Sequence, residues 1–284
     1  MDASQVEVNN GGGHRGRNTA IGGGLAGLLG LVAMLFLGFN PFEEQQTATP
    51  AAGRQQIGER TDLQAACQTG ADADQNEQCR IVGVVNSIQN YWTGAFAASS
   101  LTYRNARTQL FTGATQTSCG YATSQVGPFY CPADQKVYLD LTFFQQLQRQ
   151  FGASGGPFAQ AYVVGHEYGH HVQNLLGTMN KVKSGTTGAS SPAVRLELQA
   201  DCYAGVWMRN AVKTGYLTQV TGEDLAQALS AAEAVGDDRI QSRTQGYVQP
   251  DAFTHGTSRQ RTKWVNIGYD YGDPGRCTTF SGAI

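Results

Sequence analysis

His166-Glu167-Tyr168-Gly169-His170 sets two imidazoles four residues apart, with a carboxylate beside the first. On a helix that spacing puts the rings about 40° apart around the axis and one turn along it, so both can reach one tetrahedral ion. Glu167 projects from the adjacent face, where it can take a proton from a metal-held water without being a ligand. The flanking Tyr162, Val163, Val164, Val172, Leu175 and Leu176 mark a core helix. Two histidines and a glutamate buried there without a partner would be costly. Two imidazoles and a carboxylate favour zinc over manganese or cobalt.

A catalytic zinc site needs a third protein ligand and an open fourth position. Glu197 stands 27 residues after His170 on the next helical segment, with Asp201 one turn further on the same face. Glu197 is the expected ligand. Asp201 is expected to accept the second N–H of a ligand histidine, His166, fixing the tautomer that presents its other nitrogen to the metal. A third histidine six residues after the second is excluded, because Leu176 occupies that place. His255, in AFTHGTSRQRTKW, is the candidate for holding the oxyanion formed when water attacks a carbonyl; the competing reading is a surface-loop histidine. His171 points 100° away from His170 and is expected to pack. Asp251, Tyr168 and Arg261 are lesser candidates, for which structural roles are favoured.

These groups need two helices side by side. Pro157 opens FAQAYVVGHEYGHHVQNLL, which Gly177 stops, and Ser190, Ser191 and Pro192 open AVRLELQADCYAGVWMRNAV, which Gly215 ends. Apolar residues at 81, 84, 85, 88, 91, 92, 95 and 96 recur on one helix face. PFYCPADQKVYLDL at 128–141 reads as a β-hairpin, and Thr142 precedes a short helix, FFQQLQRQF. Thr221 caps a further helix running to Gly236, and the C-terminal stretch reads as mostly loop or short strand with one short helix near 257–267. The sum is an α+β domain with a small antiparallel sheet ahead of a helical half. An edge strand within Lys136 to Leu141 is the expected rail for an extended substrate.

Residues 21–39, IGGGLAGLLGLVAMLFLGF, are uncharged and mostly apolar, and span about 28 Å as a helix. That reads as a membrane anchor rather than a cleaved signal peptide, whose apolar region is shorter and is followed by a small-x-small site. Arg15 and Arg17 precede it while Glu43 and Glu44 follow, which favours a cytoplasmic N-terminus, against the weaker pull of Arg54 and Arg60. The expected layout is a cytoplasmic tail at 1–18, an anchor at 19–39, a flexible linker at 40–78 and a metallopeptidase domain at 79–284. Six cysteines without a CxxC pair read as disulfides: Cys67–Cys79 and Cys119–Cys131 would close short loops, and Cys202–Cys277 would tie down the C-terminal tail. The formal charge of −2, with basic residues scattered, excludes a nucleic-acid partner.

The segments HEYGHH at 166–171, RLELQADCYAGVW at 195–207, GPFYCPADQKVYLDL at 127–141, GDDRIQ at 236–241 and FTHGTS at 253–258 together resemble the neutral zinc metallopeptidases, small bacterial envelope proteins with one N-terminal membrane segment. The similarity covers roughly residues 80 to 284. That family is similar to the thermolysin-like gluzincins in using Glu-x-x-x-Asp for the third ligand and its support. The resemblance implies a zincin-like architecture, these roles for Glu197 and Asp201, and a transition-state role for His255. The chain departs from the thermolysin form at Leu196 and Ala200, where Asn and Ser stand. The expected activity is zinc-dependent hydrolysis of peptides or proteins of the cell envelope, by a single-pass inner-membrane protein with its catalytic domain outside the cytoplasm. The alternatives are a non-proteolytic zinc-binding scaffold and a zinc hydrolase of a non-peptide amide or ester.

Overall fold

The computed structural model describes residues 1–9 and 63–284. The anchor at 19–39, the rest of the tail at 10–18, the linker up to residue 62 and His14 lie outside the described residues. Among the described residues no helix is long and apolar enough to cross a membrane.

Strand β1 (Val6–Asn9) comes first, followed by helices α1 (Leu63–Ala66), α2 (Gly70–Gln75) and α3 (Glu77–Ala98). Asn76 starts α3 by accepting the amides of Gln78 and Cys79, satisfying donors that the first turn leaves orphaned. The apolar recurrence read from sequence is its buried face: Ile81, Val84, Val85, Ile88, Trp92 and Phe96. Next come β2 (Arg107–Phe111), β3 (Ala114–Thr117), β4 (Gly120–Thr123), β5 (Phe129–Cys131) and β6 (Lys136–Asp140).

The main sheet has the order β1-β2-β6-β5. The hairpin expected at 128–141 is the antiparallel pair β5 and β6, but β2 runs parallel to both β6 and β1, so the sheet is mixed and not antiparallel. Parallel neighbours need a crossover of about a dozen residues or more. Here the chain between β2 and β6 makes the β3–β4 hairpin and β5 before returning. A second correction follows from the strand order. Because β6 lies between β2 and β5, it has no free edge to offer a substrate; the edge on that side is β5.

Past α4 (Phe143–Arg149) lie α5 (Pro157–Leu175), α6 (Pro192–Asn210), α7 (Gly222–Ala234), α8 (Asp237–Gln245) and α9 (Ser258–Tyr271). Pro157 and Pro192 open α5 and α6 at a position where the missing N–H costs nothing. The C-terminal region is more helical than its glycines and prolines imply. Helix α8 was not anticipated, and α9, started by a capping box between Thr257 and Gln260, extends to Tyr271. Cysteines pair as Cys67–Cys79, Cys119–Cys131 and Cys202–Cys277.

The helical half is held at close range. A Cβ at Gly169 would sit 2.9 Å from Ala200 Cα, and one at Gly205 would collide with the carbonyl oxygen of Val265. Helix α6 is therefore clamped between α5 and α9 at distances only glycine permits.

The ends of the expected tail and linker belong to this unit. Val6 is buried, and β1 pairs with β2 from Val6↔Thr108 to Asn9↔Phe111. Asp2 donates its amide to Asn86 Oδ1 at 2.7 Å while Asn86 Nδ2 donates back to the Asp2 carbonyl at 2.9 Å. Glu7 pairs with Arg107 and Lys136. The Cys67–Cys79 bond ties the α1–α2 segment to α3. Residues 1–9 therefore belong to the same folded unit as the helical half rather than forming a separate tail. Strands sharing hydrogen bonds cannot be separated by a bilayer core about 30 Å thick.

This can be checked in intact cells with Ser4→Cys and Ser184→Cys, both at exposed positions. A membrane-impermeant thiol reagent should label both from one side, with little background because the six native cysteines are paired. Labelling of only one of the two would show that β1 leaves the sheet.

Candidate metal centre

Helix α5 carries His166 and His170 one turn apart, their ring centroids 4.8 Å from each other and their planes nearly perpendicular at 86°. Because Gly169 lets α6 come against α5, Glu197 reaches both rings: its Oε2 lies 3.2 Å from His166 Nε2 and its Oε1 lies 3.4 Å from His170 Nε2. Donor atoms about 2 Å from a common tetrahedral ion stand roughly 3.3 Å apart. The spacing here is that of ligands around an ion.

The backs of the rings are fully engaged. His166 Nδ1 lies 2.8 Å from Asp201 Oδ1, which also accepts from the Tyr162 hydroxyl at 2.6 Å. Arg261 donates to both Asp201 oxygens at 2.9 Å, a bidentate pair, and to the Tyr162 hydroxyl at 3.1 Å. Gln173 Oε1 accepts from His170 Nδ1 at 2.9 Å. With each Nδ1 facing an oxygen that can only accept, each Nε2 is left to face Glu197.

The front atoms have no hydrogen-bond partner: His166 Nε2, both oxygens of Glu197, Glu167 Oε2 and His255 Nε2 are buried and unpaired. The Glu197 contacts with the two histidines are close, but they lack hydrogen-bond geometry. An unsatisfied buried polar atom costs about 1–3 kcal/mol. A divalent cation and its water would satisfy this group, and the donor set of two imidazoles and one carboxylate is that of catalytic zinc.

The charges follow from burial and partners. Burial works to raise the Glu197 carboxyl, but His170, His255 and His166 outweigh it and hold the group well below its ordinary range. For Asp201 burial is overcome by Arg261 and His166, which bring it down to about 2. His166 is pushed down by burial, yet Asp201 carries it up to about 9. A metal ion held at this ring would take the place of that proton, so binding would release it. Burial raises Glu167 despite the opposing pull of His166 and His170, a direction that suits a group required to accept a proton.

His255 is buried, not on a surface loop, and lines a cleft of about 430 Å³ together with His166, Glu167 and Arg261. Asp237, the first residue of α8, shapes that corner. Its Oδ2 accepts the amides of Thr254, His255 and Gly256 at 2.8, 2.7 and 2.9 Å, and its Oδ1 lies 3.2 Å from His255 Nδ1. Asp237 and the ring contact of Gln173 were not anticipated. Asp237 lies in GDDRIQ, which carried a resemblance but no role. Gln173 is three residues after His170, a legible helical spacing for an amide to reach a ring.

The remaining candidates fall outside the centre. The Tyr168 hydroxyl bonds Thr108 Oγ1 at 2.9 Å, joining α5 to β2, and Asp251 is exposed. His171 bonds the Arg104 carbonyl through Nε2 at 2.6 Å and the Tyr130 hydroxyl through Nδ1 at 3.0 Å, so it packs α5 against the sheet side, as its direction on the helix predicted.

A family described as "Putative neutral zinc metallopeptidase" matches residues 2–280. The chain belongs to this family. It is 50% identical over 241 residues to "Uncharacterized protein Rv2575" of Mycobacterium tuberculosis, covering 82% of this chain and 80% of the relative. It is 40% identical over 267 residues to "Uncharacterized protein YpfJ" of Escherichia coli K12, covering 92% and 88%. No solved structure matches the chain.

Burial lowers the His171 imidazole to about 4. The unfolded chain takes up this proton near the ordinary value of about 6.5, so between those values it binds more protons than the native state. Native stability should therefore fall as pH drops through that window. In urea unfolding of the metal-free protein at pH 7 and 4.5, His171→Gln should remove roughly 2–3 kcal/mol of the acid-induced loss. An unchanged pH dependence would show that His171 is not held neutral.

Proposed function

We propose that this member of the family is a working zinc peptidase that hydrolyses peptide bonds in extended polypeptide, with His166, His170 and Glu197 as ligands and Glu167 as the base. The observation that carries this reading is the set of unpaired buried atoms, which includes not only the ligand atoms but also Glu167 Oε2 and His255 Nε2. A site that only stores a metal needs no spare base and no spare donor at its open side.

When bound, zinc supplies Lewis acidity, lowering the pKa of water towards about 7 and polarising a carbonyl. Glu167 lines the cleft beside the ligands and takes the proton of the attacking water, then passes it to the leaving amine. Asp237 Oδ1 and the Thr254 hydroxyl, 3.2 and 2.9 Å from His255 Nδ1, hold the ring so that its unpaired Nε2 edge faces the place where the oxyanion develops. Asp201 keeps the His166 ring oriented and is itself fixed by Arg261 and Tyr162.

The substrate enters along the wall formed by Val126, Gly127 and Pro128, the lead into edge strand β5. Phe143, Phe151 and Ile240 also line the cleft. Arg261 is the cation of this wall, and it is already neutralised by Asp201. The cleft therefore favours a large uncharged side chain beside the scissile bond. The disulfides support action in an oxidising compartment outside the cytoplasm. On this reading the substrates are peptides or proteins of the cell envelope.

Glu167→Gln should lower turnover of a mixed peptide library by at least about 100-fold while zinc stays bound, as measured by metal analysis of the purified protein. Chelation of the wild type should give the same loss, restored by added zinc. Cleavage that survives in Glu167→Gln would remove Glu167 as the base. No cleavage by the zinc-loaded wild type of any library peptide would favour a non-proteolytic role.

A further inference from the structure

The two histidines of the centre are supported in different ways. Behind His166 stands a carboxylate, already balanced by Arg261; behind His170 stands the neutral amide of Gln173. Gln173 is fully buried, and its amide oxygen and both amide hydrogens are engaged. Its Oε1 accepts from His170 Nδ1 at 2.9 Å, and its Nε2 donates to the Leu196 carbonyl at 2.7 Å and to Gln199 Oε1 at 3.1 Å. The reversed amide would set an oxygen against the Leu196 carbonyl, so the orientation follows from the partners. Gln199 passes the line on, donating to the Cys277 carbonyl at 3.0 Å, beside the disulfide to Cys202.

Leu196 immediately precedes Glu197. One side chain thus grips a ring on α5 and the backbone of α6 next to the carboxylate. We propose that Gln173 is a positioning residue for the metal centre: its amide fixes the tautomer of His170 and sets the reach between that ring and Glu197. This rests on the ligand assignment above. The carboxylate ligand comes from a different helix than the two rings, so the ion can be gripped only if the two helices keep their separation. Gln173 provides a hydrogen-bonded link between them beside Glu197, in addition to the Asp201 bonds with His166 and Tyr162 one turn away.

Zinc affinity of the full chain, measured by competition with a chromogenic chelator, tests this. Gln173→Leu should weaken zinc binding about 10–100-fold. Gln173→Asn keeps an amide that is one methylene too short to reach both partners, and should fall by a similar factor. Gln199→Leu removes a neighbouring amide but leaves the grip on His170 and Leu196 intact, and should change affinity by less than about 3-fold, below the range expected for support lost at a ligand. If folded Gln173→Leu or Gln173→Asn binds zinc within about 2-fold of wild type, outside that same range, the proposal is overturned. Should neither variant fold, nitrogen-15 NMR of the wild type decides: the neutral His170 ring of the metal-free protein is expected to carry its proton on Nδ1, and a proton on Nε2 alone overturns the proposal. A separate control distinguishes failure of the ligand assignment. If Glu197→Ala or His170→Ala binds zinc as tightly as wild type, that assignment fails and not the role of Gln173.

Discussion

The contact on which the centre depends is between backbones, at Gly169 and Ala200. A methyl group at position 169 would meet Ala200 Cα and the Ala200 carbonyl, each at 2.9 Å. With hydrogen there instead, α5 and α6 lie close enough for a short glutamate side chain to reach two imidazoles from the neighbouring helix. A wider helix pair would leave Glu197 beyond bonding reach, and two histidines alone make a weak and unselective site. The glycine within the motif therefore sets the spacing of the candidate ligands without being one of them.

Bringing helices this close also buries charge, and the structure resolves that cost by stacking opposite signs in layers. Asp201 sits between His166 and Arg261, with Tyr162 filling the remaining lone-pair direction. An isolated buried carboxylate costs several kcal/mol; one with a bidentate arginine, a hydroxyl and an imidazole is instead held ionised, down to a pKa of about 2. Arg261 comes from α9, which is itself seated against α6 through Gly205 and Gly268. The C-terminal helix thus stabilises the centre without lining it as a ligand. Asp237 performs the matching task for His255, gathering three backbone amides and leaving the ring edge towards the cleft.

Around the centre, remote chain segments are fastened into one unit. The first nine residues complete the sheet beside β2, and the Cys202–Cys277 bond joins α6 to the C-terminal tail near Gln199. The sheet backs α5 through Tyr168 and His171, whose polar atoms bond Thr108 and Arg104. The bonds of Tyr168 and His171 hold α5 from the sheet side, and the disulfide holds α6 from the tail side. That restriction is what a site assembled from two helices requires, because a displacement of an ångström would take Glu197 out of coordination range.

Helix period and residue chemistry made much of this legible in advance. A four-residue spacing places His166 and His170 on one face wherever a helix forms, and Pro157 with Gly177 bound that helix by local backbone preference alone. Glu197 and Asp201 were readable for the same reason, as a carboxylate pair one turn apart on the next helical run. Cysteine pairing at short separation was legible because short loops close easily. Other features depend on contacts between residues far apart in the chain, which no local pattern encodes. The parallel run of β2 beside β6, the return of Met1–Asn9 into the sheet and the burial of His255 behind Asp237 are of this kind. So are the seating of Arg261 on Asp201 and the grip of Gln173 on Leu196. Spacing along the chain determined which side chains could share a metal, since it is set by the 3.6-residue turn; only tertiary packing decided how near the two helices lie and which polar groups stand behind each ligand, since those follow from side-chain volume and from the pairing of buried charge.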